Sequence, residues 1–251
     1  MSLKERVEYA AMKARHENKL RPWYKKWWGI ILIVIGTIIL IFVIASGIYI
    51  VKQIQNINNG TSEQYLAESR QAYLKAINGA ADNIYGNQNA TITIVEFSDF
   101  ACPYCQQSYA GLKSIREKYG DKVKIIYRDY PLHDNSIFLA LSARCAGEQG
   151  KFWEAHDMLF ENQAKFNISQ KELKTLMPNL AVELDLNIDR FSTCLTEERY
   201  FPKIKKDYED GSYLQIKGTP TWYINNAPLT GALTADKLQE IVEGLIQLGT
   251  K

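Results

Sequence analysis

The longest apolar run in the chain is Gly29–Val51 (GIILIVIGTIILIFVIASGIYIV), which contains no Asp, Glu, Lys, Arg or His. As a helix it would be about 34 Å long, enough to cross a bilayer. A buried core helix rarely avoids polar side chains over such a length. A cleaved signal peptide has a shorter head and an apolar region of about 7–15 residues. Here the run continues through Ile48, Tyr49, Ile50 and Val51, past the small residues Ala45-Ser46-Gly47. The pattern therefore predicts an uncleaved transmembrane helix at 29–51.

Beyond it the pattern becomes that of a globular domain. Residues 52–60 (KQIQNINNG) read as a polar tether. Thr61 or Ser62 can cap a helix to about Ile77, with Leu66, Tyr73, Leu74 and Ile77 on one side. Residues 78–90, rich in Asn and Gly, read as a loop, with the domain starting near Ala81. Apolar, β-branched runs predict strands at 91–97 and 122–127, separated by a helix over 103–119. Helices are expected at 136–149, 151–163, 169–177, 187–195 and 201–213. Strands at 221–225 and 227–230 flank an Asn225-Asn226 turn, and an amphipathic helix at 235–248 has Leu238, Ile241, Val242 and Leu245 on one face. Strand–helix–strand, a block of helices, then strand–strand–helix is an α/β sheet domain with a helical insertion.

Charge adds orientation. The chain of 251 residues carries a net charge of only +2, which makes no case for nucleic acid. Residues 1–28 are net +5, however, and those beyond residue 78 are net −4. Lys19, Arg21, Lys25 and Lys26 crowd one flank of the apolar run, against Lys52 on the other. The positive-inside rule places residues 1–28 in the cytoplasm and the body outside it. Trp23, Tyr24, Trp27 and Trp28 suit the membrane interface, and residues 29–51 would contact lipid. The basic head is foremost a topology signal.

The candidate chemistry lies in the four cysteines. Cys102-Pro103-Tyr104-Cys105 falls where the first strand of the domain ends and a helix starts. Pro103 suits the first helical turn, where its missing N–H is not needed. Free N–H groups and the helix dipole favour a thiolate on Cys102 and lower its pKa. Cys105 is one turn further along the same face, so the pair can alternate between dithiol and disulfide. A zinc half-site lacks a second ligand pair, and an inert disulfide is the other competing reading. Cys145 and Cys194 both lie in apolar surroundings of the helical block. An even count outside the cytoplasm favours a structural disulfide between them. Two buried free thiols, or a relay to Cys102/Cys105, are the alternatives.

The segment FSDFACPYC (97–105) resembles the active-site turn of thioredoxin-fold proteins, and more narrowly of DsbA-like extracytoplasmic thiol-disulfide oxidoreductases. Gly218-Thr219-Pro220-Thr221 resembles that family's cis-proline loop. The helical block between Pro131 and Gly218, with CAGEQGKFWEAHDMLFENQ at 145–163, resembles its inserted domain. The resemblance spans about 81–251 and implies a thioredoxin fold with a helical insertion at about 132–216, preceded by one transmembrane helix. It implies that Cys102 is the substrate-linked nucleophile and Cys105 the resolving partner. Thr219 would offer backbone hydrogen bonds beside a cis Pro220. Glu96 would be a buried acid able to take a proton from Cys105, against the plainer reading of an exposed strand charge. Tyr104 departs from the His carried there by strong oxidants of the family and brings no positive charge, so the motif leaves the potential open.

Of the three histidines, His16 is in the head and His156 shares an apolar helical face with Phe152, Leu159 and Phe160. His133 is a loop residue that could approach the site. A Cys-His protease dyad does not suit a pair that would be oxidised outside the cytoplasm. The sequons at Asn59, Asn89 and Asn167 are near chance, and the C-terminus carries no retention signal; both favour a bacterial envelope. The expected protein is a membrane-anchored, outward-facing oxidoreductase that donates disulfides to unfolded or reduced extracytoplasmic proteins. The resemblance implies reoxidation by a membrane quinone-linked partner, and no soluble cofactor or metal. A reductase or isomerase of envelope thiols, and a redox-inert tethered chaperone or binding module, are the other readings.

Overall fold

The computed structural model describes residues 1–20, 22–58, 61–79 and 82–249, without the side chains of 18–20, 56–58 and 61–66. The flanking Lys19 side chain and Arg21, the Asn59 sequon, the Thr61 or Ser62 cap, Leu66 and the domain start at Ala81 lie outside the described residues. Residues 1–68 and 69–251 form two compact units.

In the first unit the basic head is itself helical, α1 (Leu3–Leu20), and a short 3-10 turn at Trp23–Lys25 leads into α2 (Trp27–Asn58). Its Trp27–Gln55 stretch is long and apolar enough to cross a membrane. The helix thus runs through the segment expected to be a polar tether. Nothing in KQIQNIN breaks a helix, since its one Gly comes later, at residue 60. Helix α3 (Thr61–Asn78) follows.

The second unit is a five-stranded sheet in the order β1-β3-β2-β4-β5, built from β1 (Ile84–Gly86), β2 (Ile92–Ser98), β3 (Val123–Asp129), β4 (Thr221–Ile224) and β5 (Ala227–Thr230). β2 and β3 run parallel, joined through α4 (Pro103–Tyr119), and the remaining pairs are antiparallel. The β4–β5 turn is Asn225-Asn226, both with positive φ (47° and 69°), as a tight hairpin requires. β1 lies in the stretch expected to be loop. Three residues are too short for a periodic signal, and pairing with β3 makes the strand.

Between β3 and β4 come α5 (Ser136–Gly147), α6 (Phe152–Glu161), α7 (Gln170–Glu183), α8 (Ile188–Thr196) and α9 (Phe201–Tyr213); α10 (Ala235–Gly249) ends the chain. Helix α7 continues through Pro178, past its expected end at Met177, and buries Leu180 and Ala181. On one face of the sheet Ile94, Ile125 and Trp222 pack with Leu112 and Ile115 of α4 and with Leu238 and Val242 of α10. On the other, Val95, Phe97 and Ile126 pack with Ile77 of α3. The last turn of α3 is thus part of the domain. Gly79 ends that helix with φ +57°, and a Cβ there would collide with the Arg128 guanidinium. The whole is a thioredoxin fold with a helical insertion.

Cys145 of α5 and Cys194 of α8 are joined in a disulfide, Cα atoms 5.8 Å apart. The bond closes a loop of 49 residues, for which chain entropy gives about 4 kcal/mol as an upper figure. Replacing both by Ala is expected to lower the melting temperature measurably. An unchanged melting temperature would show that the bond restrains nothing that the packed insertion does not already hold.

Candidate active site

The site sits where β2 gives way to α4. Cys102 is the N-cap residue (φ −80°, ψ 122°) and Pro103 opens the helix, so the first free N–H groups of α4 converge near the Cys102 sulfur. Asp99, fully buried at its side chain, holds this turn. Its Oδ1 accepts from Ala101 N at 2.8 Å and its carbonyl from Cys102 N at 3.0 Å. Its Oδ2 accepts from Leu132 N at 2.8 Å and His133 N at 3.2 Å, and lies 2.7 Å from His133 Nδ1. From the insertion, Gln163 Nε2 donates to Phe100 O and to Cys102 O, both at 2.9 Å.

Opposite, the Thr219–Pro220 peptide is cis, and the Cys102 sulfur lies 3.4 Å from Thr219 O, to which it can donate only while the thiol is protonated. Cys102 retains 2 % of its surface and Cys105 none, whereas Tyr104 is 59 % exposed. Glu96 and Ser98 are buried on the α4 side of β2, since strand side chains alternate and Ile92 and Ile94 face that way.

These environments drive the two thiols apart. The Cys102 thiol falls to about 5, chiefly because the Cys105 thiol donates to its thiolate. Burial opposes the fall. Thr219 and the N–H groups of Tyr104 and Cys105 reinforce it. Cys105 is raised by burial first, then by that same donation and by the charges of Glu96 and Cys102. Burial pushes Glu96 up to about 8, with the Cys102 charge adding to it and Ser98 and Arg116 opposing. At neutral pH the reduced site therefore holds a thiolate on Cys102 and protons on Cys105 and Glu96.

Cys102, Cys105, Glu96, Thr219 and Pro220 come together here. Cys145 and Cys194 bond to each other rather than joining this pair. His156 is fully buried, with Nδ1 2.9 Å from Asp157 and rings of Phe100, Tyr127 and Trp153 around it. Burial lowers its pKa to about 4. Among the described residues no cluster of three or more His, Cys, Asp or Glu side chains could hold a metal. Sequence reasoning missed Asp99 and Gln163. Asp99 left a signal, because an Asp accepting from the N–H two residues on is a common turn device; Gln163 left none.

The Thr219 hydroxyl is buried and has no partner of its own, which leaves it free to donate to the thiolate. Thr219→Val is expected to raise the Cys102 midpoint by about one unit, read from alkylation rate against pH. An unmoved midpoint would remove the hydroxyl from the account.

The Cys-x-x-Cys pair at a helix start and the cis X–Pro bond against it thus sit on a thioredoxin-like sheet. The chain belongs to the thioredoxin family, whose model, described as Thioredoxin, matches residues 79–244. Among solved structures, BdbD from Bacillus subtilis is 25% identical with a TM-score of 0.56, covering 64% of this chain and 91% of that one. The thiol-disulfide exchange protein alpha-DsbA2 from Wolbachia pipientis is 20% identical with a TM-score of 0.61, covering 74% and 98%, a likeness of fold. The Na(+)/H(+) antiporter NhaA 1 of Salinispora arenicola is 30% identical over 164 residues, 64% of this chain but 24% of the antiporter. The chain spans about a quarter of the length of the curated relatives it matches.

Proposed function

We propose that this protein donates disulfides to reduced proteins outside the cytoplasm, held at the membrane by α2 with residues 1–28 inside. The observation that carries the reading is the asymmetry of the pair, a thiolate on Cys102 beside a protonated Cys105. Stabilising the reduced form makes the disulfide a stronger oxidant. Lowering the Cys102 thiol pKa from 9.0 to about 5 stabilises the reduced pair at neutral pH and so makes the disulfide the more oxidising form.

In the forward reaction a substrate thiolate attacks the Cys102 sulfur of the Cys102–Cys105 disulfide and Cys105 leaves. Its thiolate, the less stable of the two, takes a proton, for which Glu96 is the adjacent acid. A second substrate thiolate then attacks the substrate sulfur of the mixed disulfide and expels Cys102 as the stabilised thiolate. The substrate loses two electrons and its two thiol protons, and the pair gains the electrons. A membrane partner, proposed as quinone-linked, would take them onward.

Antiport is not carried over from the NhaA relatives, because the shared stretch is a quarter of their length. Direction is tested by trapping thiols with acid and alkylation in living cells, and by incubating the oxidised full chain with a dithiol peptide. The pair should be mainly oxidised in cells, and one peptide disulfide should form per protein. A mainly reduced pair, with faster reduction of disulfide substrates, would establish the reductase reading instead.

A further inference from the structure

No residue of Cys102-Pro103-Tyr104-Cys105 carries a positive charge, but a cation-capable side chain is held beside the turn by another loop. His133 is 45 % exposed at its side chain and is fixed through Nδ1 by the buried Asp99 carboxylate, 2.7 Å away. That carboxylate also fixes the Cys102 turn through Ala101 N, so one group sets the position of both. His133, Ala101, Pro103 and Gln163 line a single cleft of about 560 Å³. The Asp99 contact leaves Nε2 of His133 free to carry the second proton of the imidazolium.

The geometry points to His133 as a positioning residue for the proposed reaction, the cationic partner of the Cys102 thiolate in place of a charge within the motif. The inference rests on the proposed role of Cys102 as nucleophile. The groups that face His133 are Asp99 from the β2–α4 turn, Asp134 from its own loop and Cys102 from the start of α4. The Asp99 hydrogen bond, then the charges of Asp99, Cys102 and Asp134, raise its pKa, with burial opposing. The carboxylates favour the imidazolium over the neutral ring.

Linkage makes the test possible without a variant, since a thiolate that favours the imidazolium is favoured by it to the same degree. The full chain is titrated in detergent by histidine NMR in the disulfide and dithiol forms, with Cys102 ionisation followed by thiolate absorbance. The His133 midpoint is expected to be higher in the dithiol form by about half a unit, less than the one to three units of a contact pair. His16, in the head, is the reference. Equal midpoints, or a lower one in the dithiol form, while Cys102 titrates as a thiolate overturn the inference and leave the proposed function standing. A Cys102 that does not ionise below pH 7 overturns both. His133→Gln should raise the Cys102 midpoint and His133→Lys should keep it low. Equal midpoints in these two variants would mean that the side chain acts through packing and not through charge.

Discussion

Cys102→Ser is expected to reduce oxidation of a dithiol peptide to background, whereas Cys105→Ala, given a disulfide-bonded peptide, should accumulate a mixed disulfide as the Cys102 thiolate attacks the peptide disulfide and one peptide thiolate leaves. The two thiols differ in environment more than in position. Cys102 caps α4 with its sulfur 3.4 Å from Thr219 O and a midpoint near 5, while Cys105 lies deeper beside Glu96 and is held protonated. Only the first is a thiolate at neutral pH, and the thiolate is the form that attacks and the better leaving group. Without Cys105 a mixed disulfide on Cys102 loses its internal resolving thiol. Non-reducing electrophoresis after acid quenching would display the adduct, and its thiol sensitivity would identify it. Adducts on Cys105 in the Cys102→Ser protein, and none on Cys102 in the Cys105→Ala protein, would reverse the roles.

Arg128→Met is expected to destabilise the domain by about 3–5 kcal/mol, the range for removing one partner from a buried charge network. Arg128 retains 2 % of its surface. Its Nε and Nη2 each lie 2.6 Å from a carboxylate of α9, Asp207 and Asp210, and its Nη1 donates to the Ala76 and Ile77 carbonyls that end α3. Arg144 completes the network, 2.5 Å from both Asp129 and Asp207 and 3.3 Å from Asp82. Lys203 and Lys206 close it at Asp82 and Asp210. Four cations thus meet four carboxylates, and removing Arg128 leaves buried anions and open carbonyls together. Lys113→Ala, at a half-exposed pair with Glu161, should cost less than about 1 kcal/mol. Urea denaturation of both variants decides it, and a loss at Arg128 as small as that at Lys113 would show that the network adds little to stability.

Much of the architecture was legible because it is written in local patterns. An unbroken apolar run marks a membrane-length helix, apolar and β-branched runs mark β2 and β3, and Asn225-Asn226 marks the hairpin. Pro103 after Cys102 marks a helix start, and the cysteine spacing marks a pair that can close. The elements that escaped are those whose stability is not local. β1 is a strand only against β3, and α7 runs through Pro178 because burial of Leu180 and Ala181 outweighs the bond that proline removes.

The same division applies to the chemistry. The place of Cys102 at a helix start could be read from the chain alone, and the N–H groups there do lower the thiol pKa, but the largest part of the fall comes from the Cys105 thiol. The buried state of Glu96 and the meeting of Thr219 with Cys102 across 117 positions were legible only through a family resemblance and not from local physics, and the capture of His133 by Asp99 was legible from neither. Nor was the role of Asp207 and Asp210, which on α9 look like part of a charged, solvated face and instead hold Arg128 and Arg144. Charge and polarity can be read from a sequence, but the dielectric around each group and the identity of its partner depend on chain crossings between distant segments. Only the tertiary structure decides those.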